Sequence, residues 1–174
     1  MKPAPGIFIA LLTALAISCA GPPPAGEGIV KGTAGVAQTE VNFLKSSHHF
    51  VKNPYSPAAN PSYFIMRNYP VFAANFGVAA VMGMDTATLI TEEKMKNRFV
   101  LSIVHQGRDF RKMDIEKITL ANRQLQVYYT SEVTMRDVGE VNCHVTVLVD
   151  DCGFDSVLFY ENGRYLPGAA AREL

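Results

Sequence analysis

The sequence predicts an α+β domain, a mostly antiparallel β-sheet with one or two short helices packed on it. Three observations carry that expectation. Apolar residues, many of them branched, run nearly continuously at Phe99–Val104 and alternate with polar ones at Gln124–Val133 and Cys143–Val149, which is strand periodicity. Asn162-Gly163, between the runs Ser156–Glu161 and Arg164–Leu166, supplies the two positive-φ residues of a type I′ hairpin turn. Helix start signals are confined to two short stretches, at Asn68 and at Thr91.

In chain order, the first segment is a leader. Lys2 precedes an apolar run from Ile7 to Ile17, broken only by Thr13, and small residues follow. That layout is a secretory signal peptide, and the run falls well short of the ~20 residues that span a bilayer as a helix. Residues 1–18 are expected to be removed. Residues 19–40, rich in Pro and Gly from Pro22-Pro23-Pro24 to Gly35, bury too little surface to offset their chain entropy and are expected to be a flexible tether. Residues 41–166 form the single β-rich globular domain, and 167–174, with three alanines, are expected to fray.

Within the domain, Val41–Val51 mixes apolar and polar residues and suits a strand or a sheet edge. Asn53–Pro61 holds three prolines and predicts a loop, and Tyr63–Arg67 predicts a strand. Asn68-Tyr69-Pro70 predicts a short helix, with Asn68 as cap, Pro70 in the first turn and Gly77 at the C′ position. Phe72 and Phe76, four residues apart, then face the sheet together. Thr91-Glu92-Glu93-Lys94 opens a second helical turn. Arg98–His105, apolar on both faces, predicts a central covered strand. Asn122-Arg123 predicts a tight connection from Asp114–Ala121 to the next strand, whose polar face should be wet.

Composition excludes little but does exclude something. The 174 residues carry 16 basic and 16 acidic side chains, scattered along the chain, so no electrostatic footprint for a polyanion exists and no nucleic-acid partner is expected. No nucleophile-elbow, zinc-protease, dinucleotide or P-loop pattern is present, so no catalytic residue, cofactor or metal is assigned. His48 and His49 are adjacent and on a strand point to opposite faces. The weak candidate for chemistry is a polar cluster of His105, His144, Asp150 and Asp151, meeting at a sheet end as a histidine–carboxylate site. The tyrosines Tyr55, Tyr63, Tyr69, Tyr128, Tyr129, Tyr160 and Tyr165 suit either a recognition face or cross-strand packing. Cys143 and Cys152 invite a disulfide in an exported protein. A strand at Cys143–Val149 leaves their Cα atoms ~9 Å apart, beyond the ~7 Å a disulfide tolerates, so two thiols are expected and the disulfide is the alternative.

Leu15-Ala16-Ile17-Ser18-Cys19 resembles the lipobox of bacterial lipoproteins, with Ala16 standing where leucine is commonest. The resemblance implies lipidation of Cys19, palmitate included, and hence a membrane partner; an ordinary soluble export signal cut near Ala20 is the competing reading. Each buried methylene of an acyl chain adds ~0.8 kcal/mol of membrane affinity. The segments Phe76–Gly83, Thr91–Lys94, Phe99–Val104 and Val157–Leu166 are similar to uncharacterised exported lipoproteins of Bacteroides-type bacteria and, more distantly, to the PrcB-like protease-accessory domain. The chain departs from the latter in lacking its Thr-Gly-Gly turn. The resemblance implies an outer-membrane envelope lipoprotein, not an enzyme, that binds or assists an envelope protein or peptide. The alternatives are a protease inhibitor or protease-accessory domain, with the 53–61 or 161–164 loop entering a cleft, and a metal-dependent hydrolase built on the polar cluster.

Overall fold

The computed structural model describes residues 37–52, 59–80, 82–83 and 85–174. Residues 1–36, which hold the expected leader, Cys19 and most of the expected tether, and residues 53–58 with Tyr55 lie outside the described residues. In chain order the strands are β1 (Thr39–Glu40), β2 (Phe43–Lys45), β3 (His49–Val51), β4 (Ser62–Met66), β5 (Phe76–Val78), β6 (Arg98–Gly107), β7 (Phe110–Ala121), β8 (Gln124–Met135), β9 (Val141–Asp150), β10 (Ser156–Glu161), β11 (Arg164–Tyr165) and β12 (Ala171–Glu173), with one α-helix, α1 (Tyr69–Asn75), before β5. Strands dominate, so the fold is β-rich, and the α+β class describes it only loosely.

Among the described residues these make two five-stranded sheets and a two-stranded ribbon. One sheet runs β12-β4-β6-β9-β2, the other β1-β7-β8-β10-β11, and β3 pairs with β5. Phe99, Leu101 and Ile103 of β6 join Tyr63, Ile65, Val147 and Val149 on one side of the first sheet. There they meet Ile115, Ile118, Leu125, Val127, Tyr129 and Phe159 of the second. Val100 and Val104 point the other way and, with Phe64, Met66 and Leu148, are covered by Phe72, Phe76, Ile90 and Met95. The central strand expected from the nearly continuous apolar run at Arg98–His105 is therefore β6, buried on both faces because each face has its own core.

The local signals at α1 act as the sequence suggests, with one difference. The Asn68 side chain accepts a hydrogen bond from the Val71 amide at 3.0 Å, Pro70 sits in the first turn, and Phe72 and Phe76 stack with ring centroids 5.3 Å apart. The helix leaves through extended backbone at Phe76, and Gly77, in the C′ position, enters β5 without the left-handed turn common there. Gly77 instead makes room for the Phe50 ring across the ribbon, which a Cβ would meet at 2.4 Å. Residues Thr91–Met95 make one turn, closed by the Met95 amide to the Thr91 carbonyl at 3.1 Å, and do not extend to a helix.

Two other expectations change. Val41–Val51 lies among three strands of three different sheets, since β1 just before it, β2 and β3 pair with β7, β9 and β5. The tail at 167–174, expected to fray, adds β12 in parallel to β4, and the Leu174 amide donates to the Ile65 carbonyl at 3.0 Å. Leu174 also packs on the outer core, which gives the tail the anchor that its alanine-rich sequence hides.

The hairpins follow their turn residues. Asn122 and Arg123 have φ of 50° and 59°, Asn162 and Gly163 of 49° and 78°, the twist a two-residue connection needs. β10 then pairs with β8 in parallel, Ser156 beside Gln124 through Glu161 beside Tyr129, a pairing that the mostly antiparallel sheet read from the sequence did not include. Both ends of that pairing are pinned. Arg123 makes a two-pronged contact to the Asp155 carboxylate at 2.8 and 2.7 Å, and the Asn162 side chain exchanges hydrogen bonds with the Ser131 backbone at 3.1 Å each.

Phe159, fully buried and stacked on Tyr63 at 3.9 Å between ring centroids, ties β10 to the opposite sheet. Phe159→Ala is expected to lower the unfolding free energy by about 3–5 kcal/mol. Leu158→Ala, on the other face of the same strand, should cost about 1 kcal/mol or less, and urea titration of the two variants compares them.

Candidate functional site

The histidine–carboxylate cluster proposed from sequence does not assemble. His105 lies opposite Cys143 at one end of the β6/β9 pairing, whereas Arg98 and Asp150 close the other. Six residues of extended chain, ~20 Å, separate His144 from Asp150. His105 and His144 also leave the sheet on opposite faces, because their register positions differ by one residue. Asp150 accepts from Arg98 Nε at 2.8 Å, and Asp151 pairs with Arg67 at 3.4 Å, so both carboxylates hold the far end of the sheet together. His144, expected on a polar face, is covered by the Phe76 ring at 5.7 Å between centroids.

At the His105 end the space between the sheets turns polar. Beyond Ile103 and Tyr129 the inward positions belong to His105, Cys143, Ser131 and Glu161. Arg111 completes the group. Its amide donates to Cys143 Sγ at 3.1 Å and its guanidinium to Ser131 Oγ at 3.3 Å. The Tyr63 and Tyr129 hydroxyls, 3.1 Å apart, close the apolar core beneath it. Burial pushes both phenols above their ordinary value. For Tyr129 the hydrogen bond to Tyr63 and the charge of Glu161 add to the rise. Burial, then the neighbouring Arg111 charge, lowers His105 below the ordinary histidine value, with Glu161 and Asp109 pulling the other way. Its Nδ1 and Arg111 Nε are buried without a hydrogen-bond partner among the described residues.

Among the described residues no carboxylate hydrogen-bonds His105, and no group of three or more His, Cys, Asp or Glu side chains stands ready for a metal. Cys143 and Cys152 are both free thiols, in line with the strand argument. Burial, then the charge of Asp151, raises Cys152 and keeps it a poor nucleophile. A half-open slot of about 260 Å³ between β10 and β12 is lined by Ile65, Val157 and Ala171. Its two carboxylates are already paired, Asp155 with Arg123 and Glu173 with Arg67.

The tyrosines divide. Tyr63 and Tyr129 belong to the core. Tyr128 and Tyr160 stack face to face at 4.5 Å on the outer side of the second sheet, and Lys117 covers the Tyr128 ring at 4.4 Å. With both faces of Tyr128 occupied, that ladder is cross-strand packing rather than an open platform. Tyr69 packs beside Phe72 on α1.

Of the exposed large apolar residues, which also include Leu44, Phe50, Val78, Met82 and Tyr165, three lie beside the polar end of the sandwich. Phe110 and Met135 face one another across β7 and β8, and Val138 is drawn in by its amide bond to the Arg108 carbonyl at 2.8 Å. They are 41%, 54% and 48% exposed, and apolar surface gathered in this way is what marks an interaction site. The Arg108–Asp137 ion pair at 2.6 Å rims them, and Asp109 accepts from the Asp137 amide at 3.1 Å. Sequence reasoning passed over this patch. The available signal was three large apolar residues flanking the charged segments Arg108-Asp109 and Arg136-Asp137. Compared with known proteins, the chain matches no family model, no curated protein and no solved structure.

The Tyr63–Tyr129 contact generates a test. Tyr63→Phe or Tyr129→Phe alone leaves one buried hydroxyl without its partner and should cost about 1–3 kcal/mol. The double substitution should cost less than the sum of the two, and a double-mutant cycle in urea measures the difference.

Proposed function

We propose that this chain is an exported bacterial envelope lipoprotein, held to the membrane through Cys19, probing its surroundings with a β-rich module that acts by contact rather than by catalysis. The leader and the small residues before Cys19 support export and anchoring, and the Pro/Gly-rich stretch after it supports a tether. The outer membrane is the assigned location. The observation that carries the contact reading is the exposed triad Phe110, Met135 and Val138 inside its rim of paired charges, since an apolar centre with a polar rim is how interfaces are built. The partner is an envelope protein or peptide. A protease-accessory role is one form of this reading. An inhibitory loop at 161–164 is less favoured, because Asn162 folds that turn back onto β8 instead of projecting it.

Anchoring and contact are tested separately. Cells fed a clickable fatty acid should label the wild-type chain and leave Cys19→Ala unlabelled; equal labelling removes the anchor. A photoreactive residue at Val138 of the full chain should cross-link to a discrete envelope component, and Phe110→Asp should abolish that product. A photoreactive residue at Thr130, on the outer side of β8, should give none. Identical products from both positions would remove the assigned surface.

A further inference from the structure

A second buried polar group lies between β3, β9 and α1, away from the contact surface. Ser46 Oγ stands 3.0 Å from the Thr88 carbonyl oxygen and 2.9 Å from His49 Nδ1. A carbonyl only accepts and the hydroxyl has one hydrogen, so both contacts are satisfied when Ser46 donates to Thr88 and accepts from Nδ1–H. That fixes the tautomer and leaves Nε2 of His49 as a bare lone pair. The residue is 8% exposed, Nε2 has no partner among the described residues, and the ring meets Phe72 edge-on at 5.2 Å. His144 approaches from β9 under Phe76, hydrogen-bonded to the backbone of His49 and Asn142.

A proton arriving here finds no counter-charge. The charges felt by His49 are those of His144 and His48, both of the same sign as its own protonated form. From the other elements packed around it, α1 brings Tyr69 as its sole ionisable group and β5 brings none, while the facing side of β6 brings Arg98, paired with Asp150 of β9 at 2.8 Å at the far end of the sheet, and the turn between Ile90 and Met95 brings the exposed Glu92 and Glu93, Glu93 paired with Lys96. Lys52 is committed to the Ala73 carbonyl, Asp85 to the Ala87 amide, and Lys94 to the carbonyls of Ala87 and Leu89. Asn142 Oδ1, buried without a partner, is a neutral acceptor.

We infer that α1 and the β3–β5 ribbon form a proton-sensitive latch on the outer face of the sheet holding β6, with the imidazoles of His49 and His144 as its trigger. Burial lowers the proton affinity of both rings, most of all by removing them from water. The closed form therefore refuses protons that the open form accepts below the ordinary histidine value of about 6.5. Closure is at full strength above that pH and is lost as the pH falls beneath it. Opening lifts Phe72 and Phe76 away and bares Val100, Val104 and Leu148, an apolar face that is covered at neutral pH. The sandwich core on the other side of β6 has no part in this opening, because it carries its own set of side chains.

Hydrogen exchange of the full chain, read by mass spectrometry and corrected for the intrinsic pH dependence of exchange, tests the latch. Between about pH 7.5 and about pH 5, peptides spanning β3, α1 and β5 should lose protection by at least about tenfold, while those of the β7–β8 hairpin keep theirs. Retained protection in α1 at the lower pH overturns the inference, as does a loss in β7–β8 in step with α1. In the variant His49→Asn with His144→Asn, protection of α1 should be independent of pH over that range, and a persisting pH dependence also overturns it. If that variant is already open at the higher pH, the imidazole C2–H resonances of the wild-type chain decide. His49 and His144 must titrate below the ordinary histidine value and together with the loss of protection, and titration at the ordinary value overturns the latch.

Discussion

Phe99, Leu101 and Ile103 leave β6 on one side and Val100 and Val104 on the other, and no single sheet facing can bury both sets. The rest of the architecture answers that constraint. The β7–β8 hairpin with β10 covers the first set and completes a sandwich; α1, Ile90 and Met95 cover the second. Each side chain fully withdrawn from water contributes roughly 1.5–3 kcal/mol, so leaving either face open forfeits much of the domain's margin. The helix is thus a lid over one strand's second face, which is why seven residues suffice for it and why its few polar neighbours matter.

A second constraint is the register of β10. A parallel neighbour placed directly after two antiparallel strands needs both ends fixed, because nothing in a hairpin turn determines its alignment. The Arg123–Asp155 contact fixes the start and the Asn162–Ser131 exchange fixes the end. Side-chain hydrogen bonding with Arg123 lowers the Asp155 carboxyl and keeps the pair charged. In that register, Phe159 points to the core and Glu161 to the polar end of the sandwich beside Tyr129. The same alignment that completes the core therefore places a carboxylate among His105, Arg111 and the two tyrosine hydroxyls.

The two polar groups that result have different characters. The one between the sheets gathers both signs of charge, with Arg111 and Glu161 near His105, and sits behind the exposed apolar triad. The one under α1 gathers two imidazoles and no carboxylate. Opposite charges between the sheets make a floor for the proposed contact surface. Two titratable groups of one sign under a thin lid make a place where protonation opposes closure.

Much of this was legible along the chain. The central strand, both two-residue turns, the Asn68 cap and the stacked Phe72–Phe76 pair are local, since periodicity and turn chemistry act within a few residues. The division of 39–51 among three sheets, the strand at 171–173, the parallel β10 and the scattering of His105, His144, Asp150 and Asp151 were not. Each depends on partners distant in sequence: Thr39 on Leu120, Ala171 on Tyr63, Ser156 on Gln124. Sequence by itself determined where the long strands run and where the hairpins turn, because backbone conformation is a property of neighbouring residues. Only the tertiary structure decided which polar groups meet, because strand order and register, set by competition among faces for a shared core, place side chains that the chain keeps dozens of residues apart.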